Sequence, residues 1–370
     1  MKTFVQIISI FLVFFYFQFF PQQTALAPPA AKRPYYEVIA VPKNQTNDQL
    51  KQQLTTYIQK KKRSGSKAPI IVGVPQLPSM PLYTPLPFYQ PKMLRYVARD
   101  NGRFVTFFNE KCPCEPAEEI AKLKFEIGLQ RIALEKTLVM RTALYHYFLE
   151  KKQLPARATD LLGAFPHNYL SRIPFQQPVH SGSSPALENT GVIYNPALFN
   201  PARPWDSLKS VLRKADLDES NVDLEPLKIS VYQSSFRMVL SSGSYTVRSY
   251  PIGLGADNKT PVGTYRIVLK VSNPLSQSKV YGTRGLVLSD EDYAIHGTND
   301  ETSIGKAISK GCIRLRNRQM EELYSMASLG TKVTILNGQP AEFLQPTPPE
   351  FQIKPRSNEE NPGRVYHWKN

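Results

Sequence analysis

From Leu227 onward the chain breaks into short runs of β-prone residues separated by Gly, Ser, Asn and Asp clusters, and this pattern restricts the C-terminal part to a mainly β architecture. The runs cover residues 228–233, 237–240, 245–252, 263–271, 287–288 and 294–295, and residues 332–336 supply a closing strand. They predict an antiparallel β architecture. One helix interrupts it: Asn317 is placed to cap that helix, Met320, Leu323, Tyr324 and Ala327 form its apolar stripe, and Gly330 suits its stop.

The preceding region, residues 28–222, reads as an α+β accessory region of a different kind. Residues 35–41 form a strand, 47–61 a helix ending in a basic run, and Asp100-Asn101-Gly102 a hairpin turn between apolar pieces, because Asn-Gly accepts positive φ at little cost. Strong helix formers fill residues 117–152, as one long helix or two broken near Gly128, with Leu123, Ile127, Leu134 and Leu138 on its apolar positions. A charged amphipathic connector spans 206–223. Prolines recur through residues 339–370, which predicts a poorly ordered tail or one laid along the surface, although Val365-Tyr366-His367-Trp368 offers a docking element.

Residues 1–27 combine Lys2, an apolar run from Phe4 to Phe20 and the small-residue site Ala25-Leu26-Ala27, which is the build of a secretory signal peptide. The run is also about long enough to act as an uncleaved membrane anchor. Either way the chain is expected to be exported to the cell envelope. Its formal net charge of +16 favours polyanionic surroundings, and export turns that expectation from nucleic acid toward anionic wall polymers or a membrane surface.

Of the three cysteines, Cys112 and Cys114 are too close for comfortable bridge geometry. They read as a strained or redox disulfide or as two structural thiols. Cys312 is then the odd one, and an unpaired thiol in an oxidising compartment calls for an explanation. His146, His167 and His180 lie without a second ligand at metal spacing, so no metal or organic cofactor is expected.

The explanation for Cys312 lies in Ala294-Ile295-His296-Gly297-Thr298 and Ser309-Lys310-Gly311-Cys312-Ile313-Arg314-Leu315. A thiol is mostly neutral near pH 7 unless a base or positive potential acts on it, and His296 can supply the base. Gly297 lets the chain turn after the histidine, and its carbonyl can hold one ring nitrogen so that the other faces sulfur. Gly311 permits close approach of a substrate backbone, while amides near Gly311, Cys312 and Ile313 can form an oxyanion hole. Arg314 can bind a carboxylate through paired hydrogen bonds, and Ser309 either orients His296 or ties the loop backbone. The alternative is a buried small hydrophobe at Cys312 and a satisfied strand-end histidine.

These segments, together with Thr260-Pro261-Val262-Gly263-Thr264-Tyr265 and Ser303-Ile304-Gly305, resemble the signature of the L,D-transpeptidase (YkuD-type) family, in order and spacing. Lys310 departs from it, since many members carry a second histidine there. The resemblance implies a mainly β catalytic domain over residues 227–338, an antiparallel sandwich or barrel-like fold with one helix, in which Cys312 is the nucleophile and His296 the base and later the acid, supported by Gly297, Ser309, Gly311, Ile313 and Arg314. It implies attack on the third-residue carbonyl of a peptidoglycan tetrapeptide stem, release of D-alanine, and transfer to the amine of another stem as a 3→3 cross-link. Transfer to water would make the same site an L,D-carboxypeptidase. A noncatalytic wall-binding protein is the rival from another class.

Overall fold

The computed structural model describes residues 36–370 except 64–69, 77–79, 90–93, 102–104, 112–116, 176–190, 220–221, 278–279, 341–350 and 352. The expected signal or anchor segment, Cys112, Cys114 and His180 lie outside the described residues.

An N-terminal four-stranded sheet runs in the order β1 (Tyr36–Val41), β2 (Ile70–Pro75), β3 (Tyr96–Asp100), β4 (Val105–Asn109). β1 and β2 are parallel, joined across α1 (Asn47–Arg63), and β2, β3 and β4 pair antiparallel. Strand β2 has no counterpart in the sequence expectations, because Ile70-Ile71-Val72 is a short continuous apolar run without alternation. Such runs suit a strand covered on both faces. Helix α1 covers one face with Leu50, Leu54 and Ile58, at four-residue spacing, against Ile39, Val41 and Ile71. The other face packs on Leu123 and Ile127 of α2 (Ala117–Lys151), which runs unbroken through Gly128.

The second half of α2 enters the main core, with Leu134, Leu138, Val139 and Leu144 buried beside the strands that follow. A small hairpin of β5 (Val192–Tyr194) and β6 (Leu212–Lys214) flanks α3 (Pro204–Val211), so the expected connector is a helix and a strand.

The remaining elements are β7 (Lys228–Tyr232), β8 (Arg237–Ser242), β9 (Tyr245–Pro251), β10 (Leu254–Gly255), β11 (Gly263–Ser272), β12 (Arg284–Leu288), β13 (Ala294–Thr298), β14 (Ala307–Ser309), β15 (Ile313–Arg316), α4 (Asn317–Met326) and β16 (Lys332–Leu336). Eight of them form one sheet in the order β15-β13-β12-β11-β16-β7-β8-β9, so this part is mainly β, with one α-helix among its described residues. The long strand β11 turns the corner: Gly263–Arg266 pairs with β16, and Ile267–Ser272 with β12, with a register shift between Ile267 and Leu269.

The sheet is not wholly antiparallel as expected, because β16–β7 and β13–β15 are parallel pairs. Strand β15 was hidden in the sequence by the polar turn before it. The helix also differs in its ends. Asn317 is its first residue rather than its cap, and its side chain accepts from the Thr283 amide at 3.1 Å and donates to Asn299 Oδ1 at 3.2 Å. The helix stops at Met326, and Gly330 (φ +81°) serves a later turn against His146. The stripe Met320, Leu323, Tyr324 and Ala327 is buried.

The largest correction concerns the tail, whose residues 353–370 are built into the fold. Glu359 is fully buried; it accepts from Ser171 Oγ at 2.7 Å, Tyr324 Oη at 3.0 Å and the Arg356 amide at 3.0 Å. Burial alone would raise its carboxyl. The Arg356 and Ser171 hydrogen bonds and the Lys270 charge bring it below its ordinary range. Tyr366 and Trp368 are buried with Tyr281, Val287 and Cys312. Proline removed backbone donors from this tail, but its aromatic side chains supply enough apolar area to hold it.

Candidate active site

Strands β13 and β15 lie side by side in parallel register, with Ile295 opposite Ile313 and His296 opposite Arg314. Period-two alternation therefore sends His296, Arg314 and, one step earlier, Cys312 to the same face. Cys312 and His296 are both fully buried. Ile313 points the other way, into the large core cluster.

His296 Nδ1 lies 2.6 Å from the Gly297 carbonyl oxygen, which only accepts, so this nitrogen carries the proton in the neutral ring. Nε2 is buried and has no hydrogen-bond partner among the described residues. Burial lowers the imidazole to about 4; the Gly297 bond opposes that shift, the Arg314 charge adds to it, and an interaction with the Asn370 side chain, longer than a normal hydrogen bond, opposes it. Cys312 Sγ accepts from the Ala294 amide at 3.3 Å. Burial pushes its thiol up to about 12, against the Ala294 bond and the positive charge of Arg314. Both groups are neutral in this closed arrangement.

The turn before Cys312 is fixed by side chains. Ser309 Oγ donates to the Cys312 carbonyl at 2.7 Å and accepts from the Gly311 amide at 3.1 Å, so it ties the loop and does not reach His296. Gly311 has φ +143°, and a β-carbon there would lie 2.6 Å from the Tyr293 ring. Thr260 Oγ1 donates to the Gly311 carbonyl at 2.9 Å and accepts from the Gly255 amide at 2.8 Å, which fastens the loop at Thr260-Pro261 to the turn. Ser303 Oγ donates to the Asp300 carbonyl at 2.6 Å inside the segment joining β13 and β15. Lys310 is exposed.

Gly297 makes no turn. It sits inside β13, where a β-carbon would come within 2.2 Å of Asn317 Oδ1, so its small size serves close packing of α4.

Residues outside the signature complete the site. The Tyr281 ring meets His296 edge-on at 5.1 Å, and Trp368 lies over His296 at 6.1 Å with 27° between the rings. The Cys312 amide donates to the Lys369 carbonyl at 2.6 Å, and Arg314 Nε donates to Asn370 Oδ1 at 2.7 Å. The aromatic cluster Tyr366-His367-Trp368 was the only sequence signal for this cover.

Comparison with known proteins agrees with these motifs. Residues 227–335 match the L,D-transpeptidase catalytic domain family, YkuD. A Bacillus subtilis protein named as an L,D-transpeptidase, YkuD, is 40% identical over 111 residues, 30% of this chain and 66% of its own. Its Bacillus licheniformis namesake is 40% identical over 116 residues, 31% of this chain and 68% of its own. Among solved structures, an L,D-transpeptidase from Mycobacterium smegmatis aligns at 17% identity and TM-score 0.27, covering 30% of this chain and 58% of that one. The chain thus spans about two thirds of its curated Bacillus relatives. With that extent of match and the motifs in order, the chain belongs to the L,D-transpeptidase family through residues 227–335.

Proposed function

We propose that this protein is a cysteine-dependent L,D-transpeptidase that acts on peptidoglycan stem peptides. One observation carries the reading: Cys312 and His296 face the same side of two adjacent parallel strands, with His296 Nδ1 held by the Gly297 carbonyl and Nε2 without a hydrogen bond at normal length among the described residues. That arrangement leaves Nε2 as the acceptor for the thiol proton once substrate enters.

In this reading the Cys312 sulfur attacks the carbonyl of the donor's third residue, a diamino acid, as its proton passes to His296. The carbonyl oxygen becomes an oxyanion next to the Cys312 amide. Each preorganised donor of this kind typically contributes about 2.7–4 kcal/mol. Collapse breaks the peptide bond, His296 returns the proton to the amine of the departing D-alanine, and a thioester remains. The amine of a second stem attacks it, His296 takes the amine proton, and the Cys312 thiolate leaves, giving a 3→3 cross-link. Arg314 is the candidate anchor for a stem carboxylate. The chain is exported through its N-terminal apolar segment and works in the envelope, where its +16 charge suits anionic polymers.

The test is intact-protein mass after incubation with a disaccharide-tetrapeptide, with Cys312→Ala alongside. An adduct lacking D-alanine, present only with Cys312 intact, supports the reading, and an added acceptor stem separates transfer from hydrolysis. Folded, reduced protein that forms no adduct and releases no D-alanine overturns it in favour of a wall-binding role.

A further inference from the structure

The tail that covers the site is held as a peptide ligand would be. Tyr366 donates its amide to the Leu275 carbonyl at 2.9 Å, and Lys369 its amide to the Asp292 carbonyl at 2.9 Å. Tyr281 Oη donates to the carbonyls of Trp368 at 3.0 Å and Tyr366 at 3.3 Å. The Trp368 ring is seated on Gly285 of β12, where a β-carbon would lie 2.4 Å from Cη2, so the strand itself makes room for it. At the end of the segment the Lys369 carbonyl occupies the Cys312 amide.

The side chain of Lys369 adds a second correspondence. Its ammonium lies 2.8 Å from an Asp292 carboxylate oxygen and 3.3 Å from Tyr293 Oη, and over the Tyr293 ring at 4.6 Å. A residue with a carbonyl on the nucleophile's amide and an amine on its side chain is a diamino acid in register with the attacking thiol.

We propose that Tyr366–Asn370 is an internal occupant of the donor cleft. Lys369 stands where the donor's diamino acid would lie, and Asp292 with Tyr293 forms the subsite for that residue's ammonium. The proposal rests on the stem-peptide reading above for the identity of the donor. It explains why the cysteine and histidine are both without solvent access: the strap must leave before a donor enters, and the two compete for the same groups.

Two readouts on the full chain test it, and the first does not depend on any peptidoglycan activity. Alkylation of Cys312 by iodoacetamide, followed by intact mass, is compared among wild type, Trp368→Ala and Lys369→Met, each checked for a native-like unfolding transition. The strap as occupant predicts at least tenfold faster alkylation in both variants, and slower alkylation again when a synthetic peptide of residues 364–370 is added to Trp368→Ala. Folded variants that alkylate at the wild-type rate overturn the proposal, as does a peptide without effect.

The second readout uses Asp292→Asn with a tetrapeptide donor carrying a free or an acetylated side-chain amine on its third residue. The subsite predicts a KM rise of about fivefold for the free amine and little change for the acetylated donor. Equal changes for both overturn the subsite. A chain that forms no adduct with either donor, while its strap variants still alkylate faster, fails the stem-peptide reading and leaves the occupied cleft standing.

Discussion

Gly297 and Asn317 approach so closely that a β-carbon on Gly297 would lie 2.2 Å from Asn317 Oδ1. The Asn317 carboxamide is committed at that point to the Thr283 amide and to Asn299. Gly297→Ala therefore has to push α4 away from β13 or break those bonds. Overpacking of this kind costs about 1–3 kcal/mol. Because Gly297 also supplies the carbonyl that holds His296 Nδ1, the variant is expected to lose both stability in urea unfolding and activity at fixed substrate. Unchanged values in both measurements would contradict the role assigned to this glycine.

Ser309 touches Cys312 only through the backbone, so in the proposed reaction it is a positioning residue. Ser309→Ala leaves the buried Cys312 carbonyl and Gly311 amide without that hydroxyl. A cost of about 1–3 kcal/mol is expected, together with a fall in kcat of about tenfold at unchanged KM, since the turn no longer fixes the Cys312 amide. Ser309→Thr should restore part of kcat. A purely structural hydroxyl would lower stability and leave kcat per folded molecule as it was.

The sequence made legible what local pattern encodes. The β-prone runs of β7, β8 and β9 between turn residues and the stripe of α4 follow from residues a few positions apart, and the signature brings His296 and Cys312 into one short stretch of the chain. The pairing of β13 with β15 could not be read this way, since parallel neighbours across a loop leave no hairpin signal. The strap was also hidden. Its seat is assembled from Leu275, Tyr281, Gly285 and Asp292, which are far from Trp368 in sequence, and proline-rich composition argued for a loose tail. Gly297 shows the opposite error: a glycine after a catalytic-type histidine suggested a turn, whereas the space it frees belongs to Asn317.

His146 gives stability a pH dependence with a definite sign. Its ring is buried, with Nδ1 2.8 Å from Ser328 Oγ, and burial followed by the Arg266 charge lowers it to about 4. A histidine depressed below its unfolded value of about 6.5 contributes stability that is present above that pH and is lost as pH falls toward the folded value. Between pH 7 and 4.5 this group should cost about 2 kcal/mol. Urea unfolding of wild type and His146→Gln at both pH values checks it. The variant is weaker at pH 7 and loses less on acidification, and parallel losses would remove His146 as the cause.

The last prediction concerns the join between α2 and the β domain. Arg248 of β9 is fully buried; it donates to Glu135 of α2 from Nη1 at 2.9 Å and Nη2 at 2.8 Å, and to Glu322 of α4 from Nε at 2.8 Å. Tyr250 Oη donates to the other Glu322 oxygen at 3.0 Å. Burial raises the Glu322 carboxyl in spite of Arg248, whereas two arginines hold Glu135 low against the same desolvation. Arg248→Met removes the cation between two buried carboxylates, and loss of one partner from such a group costs about 3–5 kcal/mol. The thermal midpoint should fall steeply at pH 7 and recover partly as the pH is lowered, because burial already favours the protonated form of Glu322. Adding Glu322→Gln to the variant should restore part of the loss at pH 7 and remove that pH response, because the amide keeps the Tyr250 contact without a charge. An Arg248→Met protein as stable as wild type would mean that apolar packing alone joins the helix to the sheet.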